Sequence, residues 1–353
     1  MSVNLLLNQI AEQFSNSRSN VYSDNNRDRH FANLYEVFTS IQQINEDNKI
    51  LDKDLPIYKQ ILTYILSDLQ YLDSSTLNVI PFEIVSSLEL ALKDWIDDKN
   101  LILSTHLSND FNDFYFNPNN NKEYFDNVNT FLESQKICKI DFRLIKITLP
   151  KLLSRDYFSI VALYHELGHF VDFEFNFSKR VLLKKYSSSA PDPKTDINKE
   201  LNYYQEYFAD LFAAQYISDA SNLYLLDRSI GDNESFTHPR TSERILLVNK
   251  FLAGEDHNGV IKQFQEVLDA FSRELKIRFS FREINKSNFF NFIPEIIEND
   301  EQLHYIYKTG WEIWKDNANS NFHGIPERQK YQIINNLMEK SISSYFLVKN
   351  WNK

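Results

Sequence analysis

Residues 160–173 constrain the fold of this chain more than any other segment. Ile160, Val161, Leu163, Tyr164, Leu167, Phe170, Val171 and Phe173 put apolar side chains on nearly every side of a helix, so the spacing predicts a helix that crosses the interior. The same stretch contains His165-Glu166-Leu167-Gly168-His169. Residues four apart share a helix face, so both imidazoles can turn a ring nitrogen toward one point while Glu166 stands beside them. Two imidazoles and a carboxylate in apolar surroundings each carry a desolvation cost, and coordination of a divalent ion offsets it. Ser154, ahead of Asp156, is the expected N-cap of this helix. Gly168 has no side chain, so another element can come close there.

A catalytic zinc takes three protein ligands and keeps one position for water, so the histidine pair predicts a third donor elsewhere. Glu206 is the best candidate. It lies in Glu206-Tyr207-Phe208-Ala209-Asp210, one turn before Asp210 on the same face of a second helix expected from about 198 to 226. The small residues Ala209, Ala213 and Ala214 would let that helix pack tightly on the first. Asp172 is the rival donor and Glu200 a weaker one. Three ligands on one straight helix strain a tetrahedral site, because successive turns climb about 5.4 Å while zinc bonds span about 2 Å. Asp172 therefore suits a second-shell or structural hydrogen bond.

Elsewhere the chain reads as mainly helical. The stretches Phe31 to Ile44, Ile61 to Leu72 and Ile84 to Ile96 have helical periodicity, with Pro56 and Pro81 suited to helix starts. The Asn-rich tract from Ser108 to Lys122 reads as an exposed loop with Phe111, Phe114, Tyr115 and Phe116 packed beneath it. Ile145, Ile147 and Leu149 alternate with Lys146 and Thr148, the pattern of a half-buried strand ending at Pro150. Residues 141–149 are the expected strand beside the histidine helix, positioned to receive an extended substrate. Between 176 and 198 the chain is basic and then turn-rich, a mobile loop whose residues 187–197 would gate a cleft. Helical spacing returns at 261–275 and 334–345.

Composition excludes several classes. No run approaches the roughly 18 consecutive apolar residues of a membrane span, and no basic region followed by a long apolar core opens the chain. Cys138 is the single cysteine, which rules out an internal disulfide and a thiolate zinc site. A formal net charge of −11 argues against a phosphate-binding surface, and hence against nucleic acid as the partner. The expectation is a soluble, cytoplasmic protein acting on a protein or peptide, with its oligomeric state undetermined.

The order of HELGH, the downstream Glu-x-x-Ala-Asp at 206–210, Thr237-His238-Pro239 and then Glu243-Arg244-Ile245 resembles the HtpX-type and CAAX-prenyl-protease-type gluzincins. The resemblance covers roughly residues 155–250. It implies zinc bound by His165, His169 and Glu206, with Glu166 as catalytic base and Asp210 holding a ligand histidine from behind. His238 would correspond to the histidine of the His-Pro element beside the active site. The well-known members of that group are integral membrane proteins, and the missing spanning helix points this chain toward soluble substrates.

The fold class expected is therefore mainly α (α+β): a zincin-like metallopeptidase core with a small β element and large helical flanks. Its divisions would be 1–135, a helical N-terminal region; 136–255, the zinc core; and 256–353, a helical C-terminal region. In such a core Glu166 takes the proton of a zinc-activated water and passes it to the leaving amine. His238 is the first choice to stabilise the oxyanion, with Tyr203, Tyr204 or Tyr207 next. Arg240 and Arg244 have three readings, pairing with Glu206 or the neighbours of Asp210, binding a substrate carboxylate, or a surface role, of which the surface role is the one expected; His30, His106, His257, His304 and His323 lack ligand spacing. Two other readings share these residues: a metal-stabilised interaction module without catalysis, whose closed site would recruit Asp172, and another zinc-dependent amide hydrolase.

Overall fold

Local start signals and apolar stripes account for the helices that dominate this chain, as a computed structural model lays them out. It describes residues 2–351 apart from 23, 78, 111–113, 119–120, 189–195, 230, 280–283, 285, 317–321 and 323. Two compact units result, Met1–Val85 with Asp97–Arg155, and Ser86–Ile96 with Asp156–Lys353. The expected boundary at 135/136 falls inside the first unit and that at 255/256 inside the second.

In the first unit, α1 (Val3–Ser17) is capped by the Ser2 side chain and α2 (Asn25–Glu46) by Asp24. Helix α3 (Leu55–Ser74) carries Pro56 in its first turn, where a missing N–H costs nothing. Leu6, Ile10 and Phe14 of α1, Val37 and Ile41 of α2, and Ile61, Ile65 and Leu69 of α3 meet in one apolar core. Helix α4 (Phe82–Lys93) follows Pro81 directly, with its residues to Val85 in the first unit and those from Ser86 in the second. A three-stranded sheet joins β1 (Leu101–Ser108), β2 (Tyr115–Phe116) and β3 (Arg143–Pro150) in the order β1-β3-β2. Strands β1 and β3 are parallel, from Leu101 opposite Arg143 to Ser108 opposite Pro150, and the crossover between them contains α5 (Lys122–Ser134).

The strand expected at 141–149 exists, but it is not half-buried: all eight residues of β3 are inside. Lys146 is there because Asp68 of α3 pairs with its ammonium at 2.7 Å, while His30 Nε2 reaches the other Asp68 oxygen at 3.0 Å. Thr148 is there because its hydroxyl lies 3.3 Å from that of Tyr71. As the central strand, β3 is paired along its whole length by β1 and at Ile147 and Thr148 by β2. It is not built to take an added substrate strand. Residues 111–113 and 119–120 of the Asn-rich tract, with Phe111, lie outside the described residues.

The second unit is built around α6 (Val161–Phe175), which is buried over most of its circumference, and α8 (Ile197–Ile217) packed against it. Ser154 does not cap α6. Asp156 accepts from the backbone N–H groups of Phe158 and Ser159 in the turn before it, at 3.1 and 3.4 Å. Asn176 ends α6 in the left-handed conformation, and α7 (Phe177–Ser188) begins at once. The loop expected from 176 onward is thus a helix up to 188, held by buried Phe177, Val181 and Leu182. Residues 189–195 of the expected gate lie outside the described residues.

The second helix ends sooner than 226: Ser218, at φ 57°, separates α8 from α9 (Ala220–Arg228). Then come α10 (Thr241–Leu252), α11 (Val260–Asp269), α12 (Lys286–Phe290), α13 (Asp300–Lys315) and α14 (Glu327–Trp351). Aromatic rings fill much of this unit, among them Trp95, whose Nε1 donates to the Tyr216 hydroxyl at 3.0 Å. No helix among the described residues is long and apolar enough to cross a membrane.

Candidate metal centre

The crossing of α6 and α8 sets the geometry of the HELGH residues. A Cβ on Gly168 would lie 2.8 Å from the Ala209 Cα and 3.1 Å from its carbonyl oxygen, so the two backbones touch at this point. Gly168 sits between the two histidines, and Ala209 sits between Glu206 and Asp210. Contact of the two small residues therefore brings both pairs of polar side chains face to face.

The ligand atoms of His165, Glu166 and His169 lie within 4.8 Å of one another. Glu206 closes the cluster from α8. One of its oxygens is 3.4 Å from His165 Nε2 and the other 3.3 Å from His169 Nε2. Donors bound to a tetrahedral zinc at about 2.0–2.1 Å stand about 3.3–3.4 Å apart. Behind the cluster, His165 Nδ1 meets Asp210 Oδ1 at 2.9 Å, which leaves Nε2 to face Glu206.

Arg244, in the first turn of α10, joins the two acids. Its Nε and Nη2 donate to the two oxygens of Asp210 at 2.7 Å each, and its Nη1 is 3.2 Å from Glu206 Oε2. The expected surface role of Arg244 is thereby overturned, since it is only 8% exposed. The signal was present in the sequence: Arg244, Leu247, Val248 and Phe251 are the buried stripe of α10, spaced i, i+3, i+4, i+7 with the arginine at its head. Arg240 is exposed.

Electrostatics follow from this packing. Burial opposes the charge of Glu206, but Arg244 and the two imidazoles hold its carboxyl well below the usual carboxylate range. Burial likewise opposes the charge of Asp210, and Arg244 with His165 keeps its carboxyl low. Burial would lower the pKa of His165, yet Asp210 and Glu206 overcome it and raise that pKa to about 10. Three acids, Glu166, Glu206 and Asp210, thus face one guanidinium and the His165 ring, and the balance of charge stays negative. Glu206 Oε2 is buried and meets no donor in hydrogen-bonding geometry. An excess of negative charge and two Nε2 atoms, one against each oxygen of the Glu206 carboxylate, fit a divalent cation such as zinc.

The remaining predicted residues fall in distinct places. Asp172 accepts the backbone N–H of Ser178 at 2.7 Å and so caps α7. Burial raises its pKa to about 6. His238 lies at the rim, 58% exposed, with Nε2 at 3.6 Å from Glu206 Oε1. It is carried on a strap that follows one stripe of α8. Lys199 pairs with Glu234 at 3.2 Å, the Asn202 amide donates to the Phe236 carbonyl at 3.3 Å and the Tyr203 hydroxyl to the Ser235 carbonyl at 2.9 Å. Tyr204 donates to Gln263 at 2.7 Å, away from the ligands, and Glu243 raises the pKa of the Tyr207 hydroxyl beyond what its burial does. Glu200 is taken by Lys185 and Tyr186. Of the other histidines, His30 faces Asp68, His106 faces Ser74 and His304 faces Tyr164. His323 lies outside the described residues. Compared with protein-family models, curated proteins and solved structures, the chain matches none.

Proposed function

We propose that this chain is a zinc-dependent peptidase of the gluzincin type, with a zincin-like core formed by α6 and α8. The observation that carries the reading is the convergence of His165 Nε2 and His169 Nε2 on one carboxylate, Glu206, at 3.4 and 3.3 Å. His165, His169 and Glu206 would hold the ion. Bound there, zinc supplies a Lewis acid for the scissile carbonyl and lowers the pKa of its water toward about 7. Glu166, within ligand distance of both imidazoles, takes the proton of the attacking water and delivers it to the leaving amine. His238 donates from the rim to the oxyanion that develops on the substrate. A closed structural site would need a fourth protein ligand, and Asp172, the residue nominated for it, is engaged at Ser178 instead.

The test separates metal from chemistry. Elemental analysis of purified protein should find one zinc per chain, and Glu166→Gln should retain it while cleavage of an unfolded protein substrate falls roughly 10²–10⁴-fold. Unchanged turnover would remove Glu166 from the mechanism. Wild-type protein without zinc would end the peptidase reading.

A further inference from the structure

We infer that Arg244 is the positioning residue that fixes the donor geometry of this centre, by clamping from α10 the two acids that α8 contributes. The inference rests on the metal reading above and adds a residue to it. A guanidinium is a planar fork, and here it is used on both sides: two N–H groups lie 2.7 Å from Asp210 and a third nitrogen lies 3.2 Å from Glu206. Glu206 and Asp210 are one helical turn apart, so a single guanidinium spans them. Asp210 in turn accepts His165 Nδ1 at 2.9 Å. That contact settles which ring nitrogen faces Glu206. Position therefore passes from Arg244 to Asp210 to His165, and directly from Arg244 to Glu206.

Two effects compete when a cation binds beside Arg244. Repulsion between guanidinium and metal would make loss of the arginine tighten binding. Loss of the clamp would loosen it, since Asp210, 1% exposed, would then be left with His165 alone. The guanidinium charge is already paired at two short bonds to Asp210, so its repulsion is largely cancelled and the geometric effect wins. Lysine cannot substitute: one ammonium replaces the charge but reaches one acid at a time.

Zinc affinity, measured on the full chain by competition with a chromophoric chelator, and the visible absorption of the Co²⁺-substituted protein test this together. Arg244→Lys should bind zinc roughly 10–100-fold more weakly and shift the Co²⁺ bands, with an unchanged circular dichroism spectrum. Arg244→Gln, which leaves one amide in place of the fork and keeps the Asp210–His165 contact, should do the same and decides the matter if Arg244→Lys does not fold. Wild-type affinity and an unshifted Co²⁺ spectrum in the folded variant overturn the role of Arg244, because arginine as a mere packing element would move neither. Wild type that binds no zinc overturns the peptidase reading and this inference with it. Zinc-binding wild type with unaltered variants overturns the inference alone.

Discussion

His238 differs from the other polar side chains of the centre in standing mostly in solvent, 58% exposed, while its Nε2 comes within 3.6 Å of Glu206. A residue so placed can meet substrate without supporting the fold. His238→Ala should therefore keep its zinc and its melting temperature while kcat falls about 10²-fold and KM changes little. Steady-state kinetics beside metal analysis would check this, and an unchanged kcat would reassign His238 to the strap alone. At this scale the sequence was informative wherever spacing alone defines a face. His165, Glu166 and His169 follow from one helix turn, and Glu206 with Asp210 from another. Arg244 was harder to place because a charged residue at a helix start ordinarily serves the surface. Only the apolar residues that follow it at 247, 248 and 251 mark its side as inward.

Among the elements, the contact of α6 with α8 matters most, because it converts two separate helix faces into one cluster. At Gly168 an added methyl would meet the backbone of Ala209, which cannot swing aside. Gly168→Ala should cost about 1–3 kcal/mol through overpacking and weaken zinc binding as the helices separate. Thermal unfolding with and without zinc would measure both, and a variant with wild-type stability and affinity would show that the helices can part without consequence. Helices with long apolar stripes, such as α3 and α14, were legible from periodicity. The strand β1 was not, since its short apolar run at 101–103 is followed by Ser104, Thr105 and His106. Ser104 and Thr105 are buried because Ser75 reaches them: its hydroxyl lies 2.8 Å from that of Ser104 and accepts the backbone N–H of Thr105 at 3.1 Å. Helix α7 was missed for a related reason: its lysines and serines read as a loop, and three buried side chains decide otherwise.

For the whole molecule, buried ionisable groups make stability depend on pH. His304 of α13 is buried against the rings of Tyr164 and Tyr216, and burial lowers its pKa to about 4. An unfolded histidine titrates near 6.5, so protonation favours the unfolded chain. The stability His304 contributes is complete above about pH 6.5, declines as pH falls toward 4, and is gone below it; the loss approaches about 3 kcal/mol. Denaturant unfolding of wild type and His304→Gln at pH 7 and pH 4 would measure it, since the difference between them should shrink by about that amount. A constant difference would mean that His304 does not titrate in this range. The sequence by itself determined the helical class, the histidine helix and the placing of Glu206 and Asp210 on one face of another, because helix faces are set by chain neighbours three and four apart. Tertiary structure alone decided that β3 is central and that Arg244 joins Glu206 to Asp210. Those outcomes depend on residues distant in the chain, and local periodicity carries no record of which distant partner arrives.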